Sequence, residues 1–185
     1  MKKTLLFLVP VLLLASSHLF ADHHKTAIFN GKDLEGWKVP ENNIWYLVED
    51  SILKIRSGPE QKGSILWTEK EFENFVVELE FRFGEGVVDS GVHVRNEDQI
   101  QIGISGSLKR DMTASPYIPG KGYPVEAEGV KDLLKEKDWN QMKIEVKGMT
   151  YTSETGKAKG PIGLQLHGKR DMGIDYRNMT VEELK

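Results

Sequence analysis

Apolar and polar residues alternate with a period of two along most of the chain, the spacing of half-buried strands. The clearest run is 75–83, where Phe75, Val77, Leu79, Phe81 and Phe83 share one face and Glu78, Glu80 and Arg82 the other. The stretch 89–102, DSGVHVRNEDQIQI, repeats the pattern around a turn-forming Asn96-Glu97-Asp98. Val92 and Val94 point one way, His93 and Arg95 the other; beyond the turn, Ile100, Ile102 and Ile104 face away from Gln99 and Gln101. Further strands are expected at 44–49 and 52–56, joined through Asp50-Ser51, and at 64–68, 140–147, 162–167 and 174–181. Many short strands with Gly-rich turns predict an all-β sandwich or jelly roll. The exception is 103–138, rich in Pro and Gly. It reads as a long loop excursion over one edge of the sandwich, ending in a short helix around 130–136. Loops of that length in a compact domain are usually functional or disordered.

The residues facing away from the aliphatic core in 89–102 change the picture. A solvated sheet face favours Lys, Glu and Thr, whereas here His93, Arg95, Gln99 and Gln101 line up. Such a set suits a polar, neutral or anionic ligand; a solvated face of unusual composition is the alternative.

The first residues, MKKTLLFLVPVLLLASSHLFA, combine two lysines with a short apolar run. They predict a signal peptide over 1–21, cut after Ala21, with Ser17 as the alternative cleavage point. The apolar run is too short to span a bilayer. With no Cys in the chain, a lipid anchor on Cys and disulfides are both excluded. The reading is a periplasmic or secreted protein with no membrane anchor, a flexible leader at 22–27 and one domain at 28–185. The formal net charge of −3 offers no basic stripe, so nucleic acid is not an expected partner. Cleavage after Ala21 would expose Asp22-His23-His24 as a free N-terminus, a candidate square-planar Cu(II) or Ni(II) site.

Five segments together resemble a known family. They are FNGKDLEGWK (Phe29 to Lys38), DSGVHVR, DWNQMKIEV (Asp138 to Val146), GPIGLQLHG (Gly160 to Gly168) and DYRNMTVEEL (Asp175 to Leu184). In this order they resemble the exported bacterial 3-keto-disaccharide hydrolase domains, also described as 3-keto-α-glucoside 1,2-lyase/3-keto-2-hydroxyglucal hydratase domains. The resemblance implies a concanavalin A-like β-sandwich jelly roll. It also implies an enzyme that cleaves or hydrates 3-keto-glucosides, by removing the C2 proton and eliminating the C1 oxygen. A sugar 3-dehydrogenase would act upstream. Family members often carry a Glu where Gln99 stands and an Asp near Ile104; this chain lacks both. They also carry an extra strand and turn after the segment ending near Lys147. Here Val146-Lys147-Gly148-Met149-Thr150 runs straight on, and Lys147-Gly148 is read as a tight turn.

Elimination needs a base near C2, donors for the enolate oxygen and a proton for the leaving group. His167 is a candidate base and His93 the other; Asp111, the acid nearest the missing carboxylates, is the alternative proton carrier, and Arg95 is the expected electrophile. His93, Gln99, Gln101 and Lys109 are expected to bind substrate, with Trp67 and Tyr123 stacking on sugar faces. A divalent metal is a candidate cofactor in place of the donors. Two rivals remain: a non-catalytic carbohydrate-binding module of the same fold, and a direct hydrolase of unoxidised glycans. The second is weakened because no closely spaced acid pair is visible on the candidate face.

Overall fold

The computed structural model describes residues 24–148 and 157–184. Two antiparallel sheets of six strands each pack face to face. The first contains β1 (Lys25–Ala27), β3 (Tyr46–Glu49), β4 (Ile52–Arg56), β6 (Phe75–Gly86), β10 (Asn140–Val146) and β12 (Met172–Glu183). The second contains β2 (Trp37–Lys38), β5 (Ser64–Phe72), β7 (Asp89–Val94), β8 (Gln99–Gly103), β9 (Pro116–Tyr117) and β11 (Gly160–Leu166). The first sheet runs β10-β6-β12-β4-β3, with β1 alongside β12; the second runs β2-β5-β11-β7-β8-β9. This is the expected all-β sandwich.

Alternation fills the space between the sheets. Phe75, Val77, Leu79 and Phe81 of β6 meet Val92, Ile102, Ile162, Leu164 and Leu166 from the second sheet, all buried in one core cluster. A core Ser is tolerated because its hydroxyl is satisfied: Ser90 Oγ donates to the Gln165 carbonyl at 2.6 Å and lies 3.2 Å from the Tyr176 hydroxyl. The parity of β12 changes midway. Ile174 and Tyr176 are buried, as are Met179 and Val181, so one residue must be absorbed between them. The register shifts between Arg177 and Thr180, and Asn178 takes φ 52°. Asn tolerates that left-handed conformation better than most residues, and the bulge keeps both halves of β12 facing the core.

Several expectations need correction. Residues 25–27 are not a flexible leader, since Lys25–Ala27 pairs with Glu182, Val181 and Thr180 of β12. The short helix is a single 3-10 turn, Val130–Asp132. A turn at Lys147-Gly148 does not join β10 to β11, since these lie in different sheets and the chain passes from one to the other. That passage includes 149–156, outside the described residues. The Asp50-Ser51 hairpin is present, with both residues at positive φ, 52° and 60°. The excursion after β8 is ordered by two isolated bridges, Ile104 to Asp111 and Ile118 to Gly122. Among the described residues no helix is long and apolar enough to cross a membrane.

Candidate functional site

Strand register builds a polar lattice on the outer face of the second sheet. One row across the strands is Trp67, Gly163, His93, Gln99 and Tyr117. The next is Ile65, Gln165, Gly91 and Gln101. Because β11 and β7 are antiparallel, continuing their register sets His167 beside Asp89. The side chains meet there: His167 Nε2 lies 3.9 Å from Asp89 Oδ2.

Asp89 is the hub. It is only 3% exposed, so its charge must be answered locally. Gln101 Nε2 donates to Oδ1 at 2.8 Å, and Gln99 Nε2 donates to Gln101 Oε1 at 2.8 Å. The carboxylate fixes the direction of this relay, since an ionised Asp can only accept and each Gln must turn its NH2 toward it. Gln99 Oε1 is consequently left buried with no partner. Arg170 Nη1 stands 3.1 Å from Oδ2, an ion-pair distance, but no donor is aligned on Oδ2 as a hydrogen bond. Oδ2 therefore keeps acceptor capacity toward His167.

His167 follows directly from β11. Its Nδ1 lies 2.8 Å from the Gly168 carbonyl, which can only accept. The neutral ring therefore carries its proton on Nδ1, leaving the Nε2 lone pair toward Asp89 and Arg170. The side chain is 41% exposed, so Nε2 stays within reach of a ligand. Gly106 of the excursion closes the group from above. A Cβ there would lie 3.0 Å from Asp89 Oδ2, 3.2 Å from Arg170 Nη2 and 3.9 Å from His167 Nε2. A bare backbone at 106 leaves that space open. Tyr123 approaches from the same excursion, with its hydroxyl bonded to Ser105 and its ring 5.2 Å from Tyr117. Burial raises its pKa, and the charge of Asp89 adds to the effect.

The structure redistributes the residues singled out from sequence. His167, Gln99, Gln101, His93, Trp67 and Tyr123 lie on or beside this face. Gln99 and Gln101, 5% and 1% exposed, hold Asp89 rather than offering themselves to sugar hydroxyls. His93 is a floor residue, with Nδ1 3.1 Å from the Glu97 carbonyl and its ring 5.2 Å from that of Trp67. Arg95 leaves the lattice, because its φ of 64° breaks the alternation. Its guanidinium donates to the carbonyls of Glu73 and Gly148, each at 2.6 Å, and to Asn74 Oδ1 at 3.1 Å. It is a structural clamp at the end of β7 opposite Asp89. Asp111 is also elsewhere: exposed, with Oδ1 capping the Thr113 amide at 2.7 Å. Lys109 sits on an exposed turn at φ 58°. Asp22 and His23 lie outside the described residues, which leaves the N-terminal copper or nickel site without a structural description.

Sequence reasoning missed Asp89, Arg170 and Gln165. Parity held the signal for the first, since Asp89, Gly91 and His93 share a face. Arg170 had no such signal, because it lies in the turn beyond β11.

The donor set does not fit a divalent cation. Among the described residues no three His, Cys, Asp or Glu side chains converge. At Asp89 the Arg170 guanidinium already faces the oxygen nearest His167.

Two consequences are measurable. Arg95→Ala removes three charge-assisted bonds, two to the Glu73-Asn74 segment and one to the Gly148 carbonyl. The expected loss is about 2–3 kcal/mol in denaturant unfolding, on the scale of hydrogen bonds to a charged group. Burial pushes His93 down to about 4. An unfolded His titrates at about 6.5, so from there down to the folded value only the unfolded chain takes up this proton. Stability is complete above the unfolded value and falls as pH drops through this window, by about 3 kcal/mol at most. Urea unfolding at about pH 7 and about pH 4.5, on either side of most of this window, should show the decline in the native protein and a smaller one in His93→Phe.

The polar outer face of the second sheet thus carries an imidazole, a carboxylate and a guanidinium at one end and an indole at the other. Residues 24–182 match the family of 3-keto-alpha-glucoside-1,2-lyase-like domains, and the chain belongs to that family. A comparison with curated proteins finds no match. Two crystal structures of candidate glycosyl hydrolases from Parabacteroides distasonis ATCC 8503 share the fold. The first has a TM-score of 0.58 at 22% identity, covering 88% of this chain and 100% of its own. The second has a TM-score of 0.53 at 18% identity, covering 86% of this chain and 84% of its own.

Proposed function

We propose that the protein eliminates the C1 substituent of 3-keto-glucosides, with His167 as the base. The observation that carries this reading is the contact between His167 and the Gly168 carbonyl, from which the tautomer of His167 follows. Its Nδ1–H is held by the Gly168 carbonyl, and its Nε2 lone pair sits 3.9 Å from a buried carboxylate. Nε2 takes the proton from C2, made acidic by the ketone at C3. The electron pair moves to the C3 oxygen as an enolate, which the Arg170 Nη2 donor stabilises. The enolate then collapses, the C1–O bond breaks and the pair leaves with the aglycone oxygen. The imidazolium returns its proton to that oxygen, leaving a C1–C2 double bond to which water can add. Asp89 stabilises the imidazolium between the two proton transfers.

Direct hydrolysis of an unoxidised glycoside needs two opposed carboxylates. Among the described residues Asp89 is the only carboxylate paired with His167 or Arg170. A binding module without turnover is the second reading, favoured by the absence of an acid at Gln99 and near Ile104. In the proposed setting the protein works in the periplasm or outside the cell, on sugars oxidised by a separate 3-dehydrogenase. The test is turnover of a 3-keto-glucoside and of its unoxidised parent by the mature protein, with and without EDTA. Cleavage of the keto sugar alone, unaffected by EDTA, supports the proposal. Cleavage of the parent sugar would replace it with hydrolysis, and saturable binding without cleavage would replace it with the binding module.

A further inference from the structure

Trp67 is anchored in an unusual way. It lies opposite Gly163 of β11. A Cβ on Gly163 would stand 2.6 Å from both Trp67 Cε3 and Cζ3 and 2.8 Å from Ile65 Cγ2. The six-membered part of the indole therefore rests on bare backbone, in space that any other residue at 163 would fill. The ring of His93, 5.2 Å away at 55°, buttresses it from the side. One region of the indole is spent on this anchoring, yet Trp67 remains only half-buried. What is left borders a shallow hollow of about 400 Å³ that runs past Gln165 to His167.

The hollow has a direction. Trp67 stands at the level of Gly163, and His167 is four residues further along the chain and on the same face. At the rise of a β-strand that is roughly 13 Å, more than one sugar ring needs. Gln165 lies midway, with its Oε1 buried and unpartnered. A ligand with its reacting carbon at His167 would extend its C1 substituent toward the indole.

We propose that Trp67 is the platform for the leaving group, selecting 3-keto-glucosides whose aglycone is a ring with a flat apolar face. This rests on the elimination reading for the position of the reacting ring. Both a second pyranose and an aromatic aglycone offer such a face, through C–H and π contacts with indole respectively.

The test compares three 3-keto-glucosides, with methyl, phenyl and glucosyl aglycones, on the native protein, Trp67→Ala and Trp67→Phe. The native protein should prefer the phenyl or the glucosyl substrate over the methyl one in kcat/KM. That preference should fall about tenfold in Trp67→Ala, mostly through KM, and recover in large part in Trp67→Phe, whose smaller ring can still stack. The member of the pair whose preference falls further in Trp67→Ala identifies the aglycone, since phenoxide leaves more readily than an alkoxide whatever the indole does. An undiminished preference in a folded Trp67→Ala protein would overturn the proposal, as would equal native rates on all three. Calorimetric titration of the same three sugars into His167→Gln separates this from failure of the reaction itself. If no keto sugar is turned over, the elimination reading falls, and tighter binding of the ring-bearing sugars, lost in His167→Gln/Trp67→Ala, still supports the platform. Equal affinities for all three would reject it.

Discussion

His167→Gln lowers kcat on a 3-keto-glucoside by about 10²–10⁴-fold, the usual contribution of a positioned general base. Glutamine retains a side-chain amide that can donate to the Gly168 carbonyl, as Nδ1 does now. It offers no basic lone pair in place of Nε2. The side chain is 41% exposed and ends its strand, so the variant should unfold close to the native midpoint. A pH profile distinguishes a base from a positioning residue. Any acid-side loss of kcat/KM in the native protein should be absent from the residual rate of the variant. A variant with a normal rate would remove His167 from the mechanism.

Asp89→Asn should be almost as damaging, and for two separable reasons. The first is catalytic: an imidazolium formed at His167 would no longer face a carboxylate 3.9 Å away. The second is structural, and it concerns Arg170 rather than the glutamines. The substituted amide can keep its oxygen toward Arg170 and present its NH2 to Gln101. Gln101 then flips to accept, and donates in turn to Gln99, whose Oε1 has no partner at present. The relay therefore reverses with the same number of bonds. The Arg170 guanidinium, 19% exposed, has no such remedy and loses its counter-charge. The expected cost is about 2–3 kcal/mol, below the range for breaking a fully buried pair because some solvent reaches it. Measured together, turnover and urea unfolding should both fall. Asp89→Glu should fall likewise, since the longer side chain must displace Gln101 or Arg170. If unfolding is unchanged in Asp89→Asn, the ion pair with Arg170 contributes nothing to the folded state.

The sandwich was legible because period-two alternation is a local property. Phe75 to Phe83 can be assigned to one face or the other without knowing what they pair with. The three shortest strands, β1, β2 and β9, have two or three residues each, too few to show a period. The site was legible only where it obeyed the same parity. His93, Gln99 and Gln101 do share a face, but the buried roles of the two glutamines depend on a carboxylate placed by strand register. Asp89 and His167 are neighbours through the β7–β11 pairing, a contact between distant segments that no local pattern records. Arg170, rather than Arg95, stands on the lattice for a related reason. The alternation that would have aimed Arg95 outward ends at a positive φ, and Arg170 enters from a turn. Asp111 looked available because its charge is visible in sequence, while its bond to the Thr113 amide is not.

The order of strands also bears on when the protein can acquire its shape. The middle strand of the first sheet is β12, the last of the chain, with β6 on one side and β4 and β1 on the other. Until residue 183 is available, these earlier strands lack the partner that joins them. During synthesis the nascent chain therefore cannot close this sheet, however many of its strands have already emerged. Closure waits for β12 to emerge and for pairings between distant segments, which form slowly.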